Sequence, residues 1–415
     1  MPNNNLFNNE RVWAEINLDN IAENVINIKK SINSNNHHHK LMAVVKADAY
    51  GHGAVEIAKT CLYNGADFLG VAMIDEALEL RSNNIFEPIL ILGYTKKNKL
   101  PLVITNNITQ TIFSYEMAKD LSSIACDLNK SVDVHIKIDT GMGRLGFYPN
   151  ENSIDEIIKI SNLNFINITG IFTHFATSDE QDKAFTNLQL DKFLKFINSL
   201  NSKSNNKFEN ILKHVSNSGA ILDFNQINNN PSLNINNINN INNINMVRAG
   251  IILYGLYPSA QINKSISLKP AMSIKSHISF IKQVEPNTSI GYGRTYFTPE
   301  INKSLIACIP VGYADGYARC LSNKAKVIIN GEYANVVGTI CMDQFMVDVT
   351  HIPNVKINDD VILMGSFNNN IIISAEELAS LQNTINYEVI CNIGKRVPRI
   401  FIKKNKVLKI KKNLN

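Results

Sequence analysis

The chain carries at residues 43–53 the sequence AVVKADAYGHG, in which an apolar run ends on a lysine and then breaks into a glycine-rich turn. The run at 41–45 predicts a short buried strand. In a parallel barrel, Lys46 would then lie at the mouth, where such folds place their active sites. Partial desolvation there lowers the pKa of an amine and frees it as a nucleophile, for which a Schiff base with an aldehyde cofactor is the natural use.

Length and composition indicate a globular protein of two or three domains, since 415 residues include 45% apolar and 19% charged ones. The net charge of +5 is too dilute to indicate nucleic-acid binding. The polar, Asn-rich start does not resemble a secretory signal, and no apolar run approaches the ~18 residues of a membrane span. Six cysteines without paired short spacing predict free thiols in a reducing cytoplasm, with no metal site.

Between residues 16 and 265, short apolar runs alternate with amphipathic stretches at 74–81, 112–128, 154–160 and 185–200. Eight strands separated by helices predict a parallel (β/α)8 barrel of the α/β class. An open doubly wound sheet is the runner-up, but no G-x-G-x-x-G turn follows a strand. The strand-like runs are residues 41–45, 68–72, 89–92, 102–105, 132–138, 168–173, 211–215 and 246–247.

Polar residues fall at the ends of these predicted strands, and they should converge on the catalytic face of the barrel. Lys46 follows the first strand, Lys137 closes the fifth and His174 closes the sixth. Residues 216–218 follow the seventh strand and Arg248 the eighth.

From residue 266 to 415 the pattern predicts a separate, mostly β domain, with β-branched runs at 274–284, 305–310, 326–329, 334–350 and 361–364. The pair Asn330-Gly331 predicts a hairpin turn. Two helices are expected near 374–381 and 387–393, and a strand at 11–16 is expected to pair with this domain. Residues 225–245, where Ile-Asn-Asn recurs, predict a low-complexity loop inserted between strands seven and eight.

Four further motifs carry candidate chemistry, and each leaves a structural alternative open. Arg144, in HIKIDTGMGRLG at 135–146, could bind a carboxylate or a cofactor phenolate, or it could lie in a surface turn. The sequence HVSNS at 214–218 opens a helix, which suits either a phosphate or a simple helix N-cap. Gly250 would let a ligand approach the backbone closely, and Tyr292 stands between two glycines.

Together these motifs resemble those of bacterial alanine racemases, in the same order and at similar spacing over residues 11–401. The resemblance implies a pyridoxal-phosphate barrel followed by a β domain, and a homodimer with shared active sites. It also implies interconversion of L- and D-alanine, which supplies D-alanine for peptidoglycan. Lys46 would carry the cofactor and act as one base, and Tyr292 of the partner subunit would act as the opposite base.

The resemblance also implies roles for the surrounding residues. Arg248 would contact the pyridine nitrogen, and His174 would link Tyr292 to Arg248. Arg144 would contact the cofactor phenolic oxygen and the substrate carboxylate, steadied by Lys137, which is carbamylated in many relatives. The phosphate would be held by Tyr50, Ser218, Gly250, Ile251 and Tyr387, with Asn217 beside them, and Tyr313, Met342 and Asp343 would line the substrate entrance or the carboxylate site.

Three readings stay open beside this one. Ala249, Lys395 and Arg294 depart from the family pattern, so a racemase of serine or of broad specificity is a possible variant. A non-catalytic pyridoxal-phosphate protein would generally lack the β domain and Tyr292. A decarboxylase would be expected to place a carboxylate, not Arg248, at the pyridine nitrogen.

Overall fold

A computed structural model describes residues 10–33, 38–223, 244–368 and 370–412. Of the predicted insert at 225–245, residues 225–243 lie outside the described residues. The chain forms two compact units, which we call the barrel unit (residues 20–49 and 54–269) and the sheet unit (residues 1–19, 50–53 and 270–415). The predicted domain division into 16–265 and 266–415 stays a prediction.

Strand β1 (Val12–Asn17) belongs to the sheet unit, and the next eight strands close a parallel barrel in chain order. The barrel closes where the last of them pairs with the first, for example Met42 with Arg248. This confirms the predicted α/β barrel. The strands are β2 (Lys40–Val44), β3 (Phe68–Val71), β4 (Ile89–Ile91), β5 (Thr109–Ile112), β6 (Val132–Lys137), β7 (Ile166–Phe172), β8 (Leu212–His214) and β9 (Met246–Ala249).

Helices alternate with the barrel strands, and their apolar faces are buried at helical spacing. In the helix Glu151–Ile160, for example, Ile154, Ile157 and Ile160 are buried, and the Asn150 side chain caps the start by accepting from Ser153 N at 3.0 Å. The helices are α1 (Leu18–Ile32), α2 (Ala54–Tyr63), α3 (Ile74–Ser82), α4 (Leu100–Thr105), α5 (Tyr115–Asp127), α6 (Glu151–Ile160), α7 (Ala184–Lys203) and α8 (Ser218–Leu222).

The expected strand at 102–105 was wrong, because these residues end helix α4. Pro101 lies in the first turn of that helix, where a proline without an N–H is tolerated. The fourth barrel strand is β5, whose polar residues Thr109, Gln110 and Thr111 are buried. Hydrogen bonding offsets the burial of Gln110, whose Oε1 accepts from Thr95 Oγ1 at 2.7 Å. A polar buried strand of this kind gives no apolar signal in the sequence.

The sheet unit is built on an eleven-stranded sheet, within the described residues, in which β1 lies between a C-terminal strand on each side. It pairs antiparallel with Met272–His277 and parallel with Arg399–Lys403, which confirms the predicted pairing of residues 11–16 with this domain. The other strands of this sheet are β10 (Met272–His277), β11 (Phe280–Val284), β14 (Ser304–Ile309), β15 (Lys326–Ile329), β16 (Glu332–Val337), β17 (Phe345–Asp348), β18 (Asp360–Phe367), β19 (Ile371–Ile373), β20 (Arg399–Lys403) and β21 (Lys406–Lys411). Strands β12 (Ser289–Ile290) and β13 (Tyr296–Phe297) pair with each other in a separate two-stranded sheet.

The predicted hairpin at Asn330-Gly331 is confirmed, since it joins β15 to β16 with Ile329 opposite Glu332. Both turn residues have positive φ, 51° and 83°, as a two-residue hairpin turn requires. The predicted runs at 274–284 and 334–350 are each divided into two strands. Helices α9 (Ala375–Gln382) and α10 (Asn386–Cys391) lie where helices were expected.

A buried carboxylate ties distant parts of the sheet unit together. Asp315 is 2% exposed, and its oxygens accept from Arg11 at 2.5 and 3.0 Å and from Arg396 Nε at 2.7 Å. Arg396 also donates to the exposed Asp343 at 2.5 Å. Burial alone would raise the pKa of Asp315, but the hydrogen bonds from the two arginines outweigh burial and hold that pKa below its usual range.

Replacing Asp315 by Asn should therefore destabilise the protein by about 3 kcal/mol, because two arginines lose their buried partner. The matched variant Asp343→Asn, in which the same Arg396 loses an exposed partner, should cost less than ~1 kcal/mol. Urea unfolding of both variants measures the difference. Equal losses would show that burial of the Asp315 carboxylate does not set its contribution.

The Asp315→Asn variant and the wild-type protein should also differ in how their stability changes at low pH. The pKa of Asp315 is lower in the folded state than its unfolded value of about 3.9, so its stabilising contribution is present above that value and disappears as pH falls through the folded pKa. The Asp315→Asn protein should lose less stability than wild type between about pH 4 and pH 2. A steeper acid loss in the variant would contradict the assignment.

Candidate active site

The predicted nucleophile follows the first barrel strand and begins an unusual turn. Lys46 lies two residues beyond β2, and it is followed by Ala47, Asp48, Ala49 and Tyr50 with φ values of 54°, 50°, 54° and 52°. Four consecutive residues other than glycine in the left-handed region are unfavourable, at roughly 1–2 kcal/mol each. Such strain persists only where surrounding contacts enforce it, and it is concentrated at functional sites.

A buried guanidinium occupies the mouth of the barrel unit. Arg248 is 3% exposed and lies within β9, not after it as the sequence suggested. Its NH1 group donates to Nδ1 and the backbone oxygen of His214 at 2.8 and 2.9 Å. Its NH2 group donates to the backbone oxygens of Thr173 and Val215 at 2.8 and 3.1 Å and to His174 Nδ1 at 3.3 Å. Burial and, second, the charge of Arg144 lower the pKa of Arg248 to about 9, so it stays charged at pH 7.

The donors of Arg248 fix the tautomers of a line of histidines. Because His214 accepts at Nδ1, its proton lies on Nε2, which donates to His135 Nδ1 at 2.9 Å. Burial, followed by the charge of Arg248, lowers the pKa of His135 to about 3 and that of His214 well below its ordinary value. Gly170 makes room for this line, since a Cβ there would lie 2.6 Å from the His135 ring.

Sequence reasoning gave no role to His135 or His214. Both belong to motifs that were singled out, and both are buried on barrel strands. The available signal was the alternation along β6, which places His135 on the same face of the strand as the predicted site residue Lys137. The three residues of β8 show no such alternation.

Four basic side chains affect the pKa of a neutral histidine. Burial lowers the pKa of His174 well below 6.5, and the charges of Arg248, Lys137, Arg144 and Lys46 lower it further, in that order. Of these side chains, Arg248 contacts the His174 ring directly, at 3.3 Å from its Nδ1. A cluster of this sign is suited to a ligand that carries several negative charges.

Lys137 closes β6 as predicted and is buried. Burial and then the charges of Arg248 and Arg144 lower its pKa well below the ordinary value, which favours a neutral, reactive amine. Arg144 lies in the exposed loop that follows, and Asp139 organises this loop by accepting from the amides of Gly141, Gly143 and Arg144 at 3.0, 3.1 and 3.2 Å.

The loops after β8 and β9 meet at a hydrogen bond. Ser218 Oγ accepts from Gly250 N at 2.9 Å, so two of the predicted phosphate contacts lie together. Asn217 caps helix α8 by accepting from Ala220 N at 3.2 Å, which is the structural alternative that the sequence had left open for this segment. Ile251 is buried in the short 3-10 turn that follows Gly250.

Two predicted phosphate contacts lie in the sheet unit. The rings of Tyr50 and Tyr387 are 6.1 Å apart. Burial raises the pKa of the Tyr50 hydroxyl, and the neighbouring Cys391 adds to this shift, so Tyr50 is a neutral hydrogen-bond donor at pH 7. Gly51 cannot be replaced easily, because its φ is 82° and a Cβ would lie 2.4 Å from the backbone oxygen of Ile390.

The second predicted base is strongly exposed in the chain taken alone. Tyr292 is 72% exposed and stands between Gly291 and Gly293, whose φ values are 75° and 74°. Its backbone oxygen accepts from Thr339 Oγ1 at 2.8 Å. This hydrogen bond connects the backbone of the turn to the rest of the sheet unit, and the Tyr292 side chain is left largely exposed.

The residues expected at the substrate entrance belong to two connected loops of the sheet unit. Tyr313 donates its backbone N–H to the Cys341 oxygen at 3.1 Å, which holds its turn against the loop that carries Met342 and Asp343. Tyr313 and Met342 are exposed, and Arg396 holds the Asp343 carboxylate.

Three expectations about the whole chain can be compared with its described part. All six cysteines are described and are free thiols, as predicted. Within the same described ranges, no three side chains of His, Cys, Asp or Glu are grouped so as to hold a metal ion. None of the described helices combines the length and apolar character that a membrane crossing requires.

Comparison with known proteins identifies the family. The alanine racemase N-terminal domain matches residues 16–258, and the alanine racemase C-terminal domain matches residues 271–401. A curated alanine racemase of Clostridium perfringens (strain SM101 / Type A) is 47% identical over 401 residues, which cover 96% of this chain and 97% of the relative.

Solved structures agree with this assignment. Alanine racemase from Clostridium difficile 630 is 44% identical, with a TM-score of 0.87 over 98% of this chain and 99% of the other. A histidine racemase from Leuconostoc mesenteroides subsp. sake is similar at 27% identity and a TM-score of 0.82, covering 95% of this chain and 98% of its own. The chain belongs to the alanine racemase family.

Proposed function

We propose that the protein is a racemase that interconverts L- and D-alanine with pyridoxal 5'-phosphate attached to Lys46. The observation that carries this proposal is the buried Arg248, which donates to His174 Nδ1 at 3.3 Å, with the positive charges of Arg144 and Lys46 acting on the same ring. A cofactor phosphate and phenolate and a substrate carboxylate together supply the negative charges that such a set requires.

The residues present fit this cofactor. Lys46 offers an amine at the strand end, and Arg248 is held rigidly by acceptors on β7 and β8 or directly after them. The Ser218 hydroxyl, which accepts from the Gly250 amide, can itself donate to the phosphate, and we assign Gly250, Asn217, Ile251, Tyr50 and Tyr387 to the same group. When bound, pyridoxal phosphate supplies a ring that delocalises the negative charge left at the substrate α-carbon.

The chain's own residues then move the proton. Racemisation removes the α-proton from one face and returns a proton to the other, so two groups on opposite faces are needed. We assign one face to the Lys46 amine and the other to the Tyr292 phenol. His174 would link Tyr292 to Arg248, and its Nε2 carries the proton because its Nδ1 accepts from Arg248.

The charge of Arg248 would favour racemisation over transamination. A fixed positive charge beside the ring nitrogen disfavours protonation of that nitrogen. With the cofactor bound, Arg248 would thereby weaken the withdrawal of negative charge by the ring, which would favour return of a proton over transamination. A decarboxylase would be expected to carry a carboxylate here, and the buried residue is an arginine.

The substrate carboxylate is assigned to Arg144, with Tyr313, Met342 and Asp343 lining the way in. Lys137 is the candidate for carbamylation, because a neutral amine is the form that reacts with carbon dioxide and burial favours that form. A carbamate would add a negative charge beside Arg144 and would steady its guanidinium.

We further propose a homodimer with shared active sites. The sheet unit exposes several large apolar side chains in addition to Tyr292, and exposed groups of this kind commonly mark an interaction surface. They include Phe280, Phe297, Ile301 and Met342. The six free thiols are consistent with a cytoplasmic enzyme, where D-alanine would enter peptidoglycan synthesis.

The direct test is the loss of optical rotation of L-alanine after addition of the purified protein with pyridoxal phosphate. We expect rotation to decay to zero, and Lys46→Ala to abolish the decay. Lys59→Ala, which removes an exposed lysine of helix α2, is the matched control and should be fully active. Borohydride should fix the cofactor on the peptide that contains Lys46, and label on another lysine would contradict the assignment.

Another amino acid is the alternative candidate for the substrate, because a histidine racemase has the same fold. The same assay with L-serine and L-histidine decides between them. A higher kcat/KM for either amino acid than for L-alanine would overturn the assignment of alanine.

The shared site predicts complementation between two inactive variants. Lys46→Ala and Tyr292→Phe homodimers should both be nearly inactive, because each site lacks one proton-transfer group. In a mixed dimer both changes fall in one site, and the other site is intact. Co-refolding the two variants should restore about half of the wild-type activity per mixed dimer. A mixture that forms mixed dimers and stays inactive would contradict shared sites.

A further inference from the structure

The left-handed turn after Lys46 needs contacts that enforce it. Its backbone conformation, with φ near 50° at Ala47, Asp48 and Ala49, is disfavoured for residues with a Cβ. Two contacts are local, since Ala49 N donates to the Val45 oxygen at 2.9 Å and Asp48 Oδ1 accepts from Ala54 N at 2.7 Å. These contacts constrain the middle and the end of the turn.

The start of the turn is held by a residue from the next β/α segment. Ala47 N, the first amide after Lys46, donates to Glu76 Oε1 at 2.6 Å. Glu76 lies in the first turn of helix α3, which follows strand β3. Its carboxylate therefore connects the ends of two adjacent barrel strands through a charge-assisted hydrogen bond.

The second carboxylate oxygen of Glu76, Oε2, caps the start of helix α3. Oε2 accepts from Ala72 N at 2.7 Å and from Met73 N at 3.3 Å, which satisfies amides at the start of helix α3. An acidic residue in the first turn of a helix commonly does this. Helix capping accounts for Oε2, but it does not account for the bond from Oε1 to Ala47.

We propose that Glu76 is a positioning residue for Lys46. The Ala47 N–H shares a peptide plane with the Lys46 carbonyl, so Glu76 fixes the rotation of that plane and with it the backbone from which the Lys46 side chain extends. The inference rests on the proposed function in one respect, namely that the Lys46 amine is the reacting group. Nothing in the sequence motifs around Lys46 indicates this contact, because Glu76 is 30 residues away.

The capping and positioning roles can be separated by substitution. Glu76→Gln keeps the side-chain length and one carbonyl oxygen, which suffices for a capping residue, but it turns an NH2 group toward the other partner. Glu76→Ala removes both acceptors and covers the case in which the Gln amide faces Ala72. Asp75→Asn is the matched control, because it removes the same charge from the same helix turn while its partner is Lys99 at 2.7 Å.

The first measurement is hydrogen exchange of the Ala47 amide in protein stripped of cofactor. We expect exchange at least about tenfold faster in Glu76→Ala, and in Glu76→Gln when its NH2 faces Ala47, with the wild-type rate in Asp75→Asn. In the loaded enzyme, Glu76→Ala should lower kcat for L-alanine by about ten- to a hundredfold with KM changed by less than about threefold, because reaction geometry is lost more than substrate binding.

Wild-type exchange at Ala47 in both Glu76 variants would overturn the inference, as would wild-type kcat in Glu76→Ala. Equal effects in Asp75→Asn would also overturn it, since the cause would then be loss of charge or of helix stability. Exchange at Ala47 is measured without cofactor or substrate. Failure of the proposed function would be seen separately, as a wild-type protein that does not racemise alanine.

Discussion

The Arg248 guanidinium is buried at the barrel mouth, and its charge must be satisfied by groups that are fixed in place. An unpaired buried cation would cost several kcal/mol, so the acceptors around it are a condition of folding. They come from His214, Thr173, His174 and Val215, which lie at or just beyond the ends of β7 and β8. One buried charge thereby sets the relative positions of the strand ends that carry the candidate active site.

The same charge determines the protonation of its neighbours. His135, His214 and His174 are neutral because burial and the charge of Arg248 oppose a second cation. Burial and the charges of Arg248 and Arg144 likewise lower the pKa of Lys137. The result is a site with several cations and neutral rings, in which a bound anion is stabilised and a neutral imidazole can pass on or hold a proton at a defined nitrogen. Racemisation needs both properties, since it creates negative charge and moves one proton.

Much of the fold could be predicted from the sequence, because seven of the eight barrel strands overlap the runs that were predicted as strands. Strand β5 could not be predicted, since its buried residues Thr109, Gln110 and Thr111 are polar, and the hydrogen bond from Thr95 to Gln110 forms only in the folded chain. Of the C-terminal strands, β10, β11 and β14 to β18 were found by their β-branched residues, whereas β12, β13 and β19 to β21 were not predicted. The boundaries between neighbouring strands were harder to predict, because residues 338–344 connect β16 to β17 without a strong turn signal.

The candidate site could likewise be predicted only in part from the sequence. Lys46, Lys137 and His174 stand at strand ends and could be found from their positions, and the family motifs supplied the others. The contacts that orient them join residues that are distant in sequence, such as Glu76 with Ala47 and His135 with His214. No periodicity predicts such pairs. Residues 225–243 lie outside the described part of the chain, so the predicted insert stays a prediction there.

The most direct test of this account is the state of the three histidines, observed by 15N NMR of the histidine side chains. His135, His214 and His174 should each be neutral at pH 7 with the proton on Nε2, and their shifts should stay constant down to about pH 5.5. Titration of any of them with a midpoint near the unperturbed value of about 6.5 would show that Arg248 does not control the electrostatics of the barrel mouth. A protonated Nδ1 on His214 or His174 would contradict the account as directly.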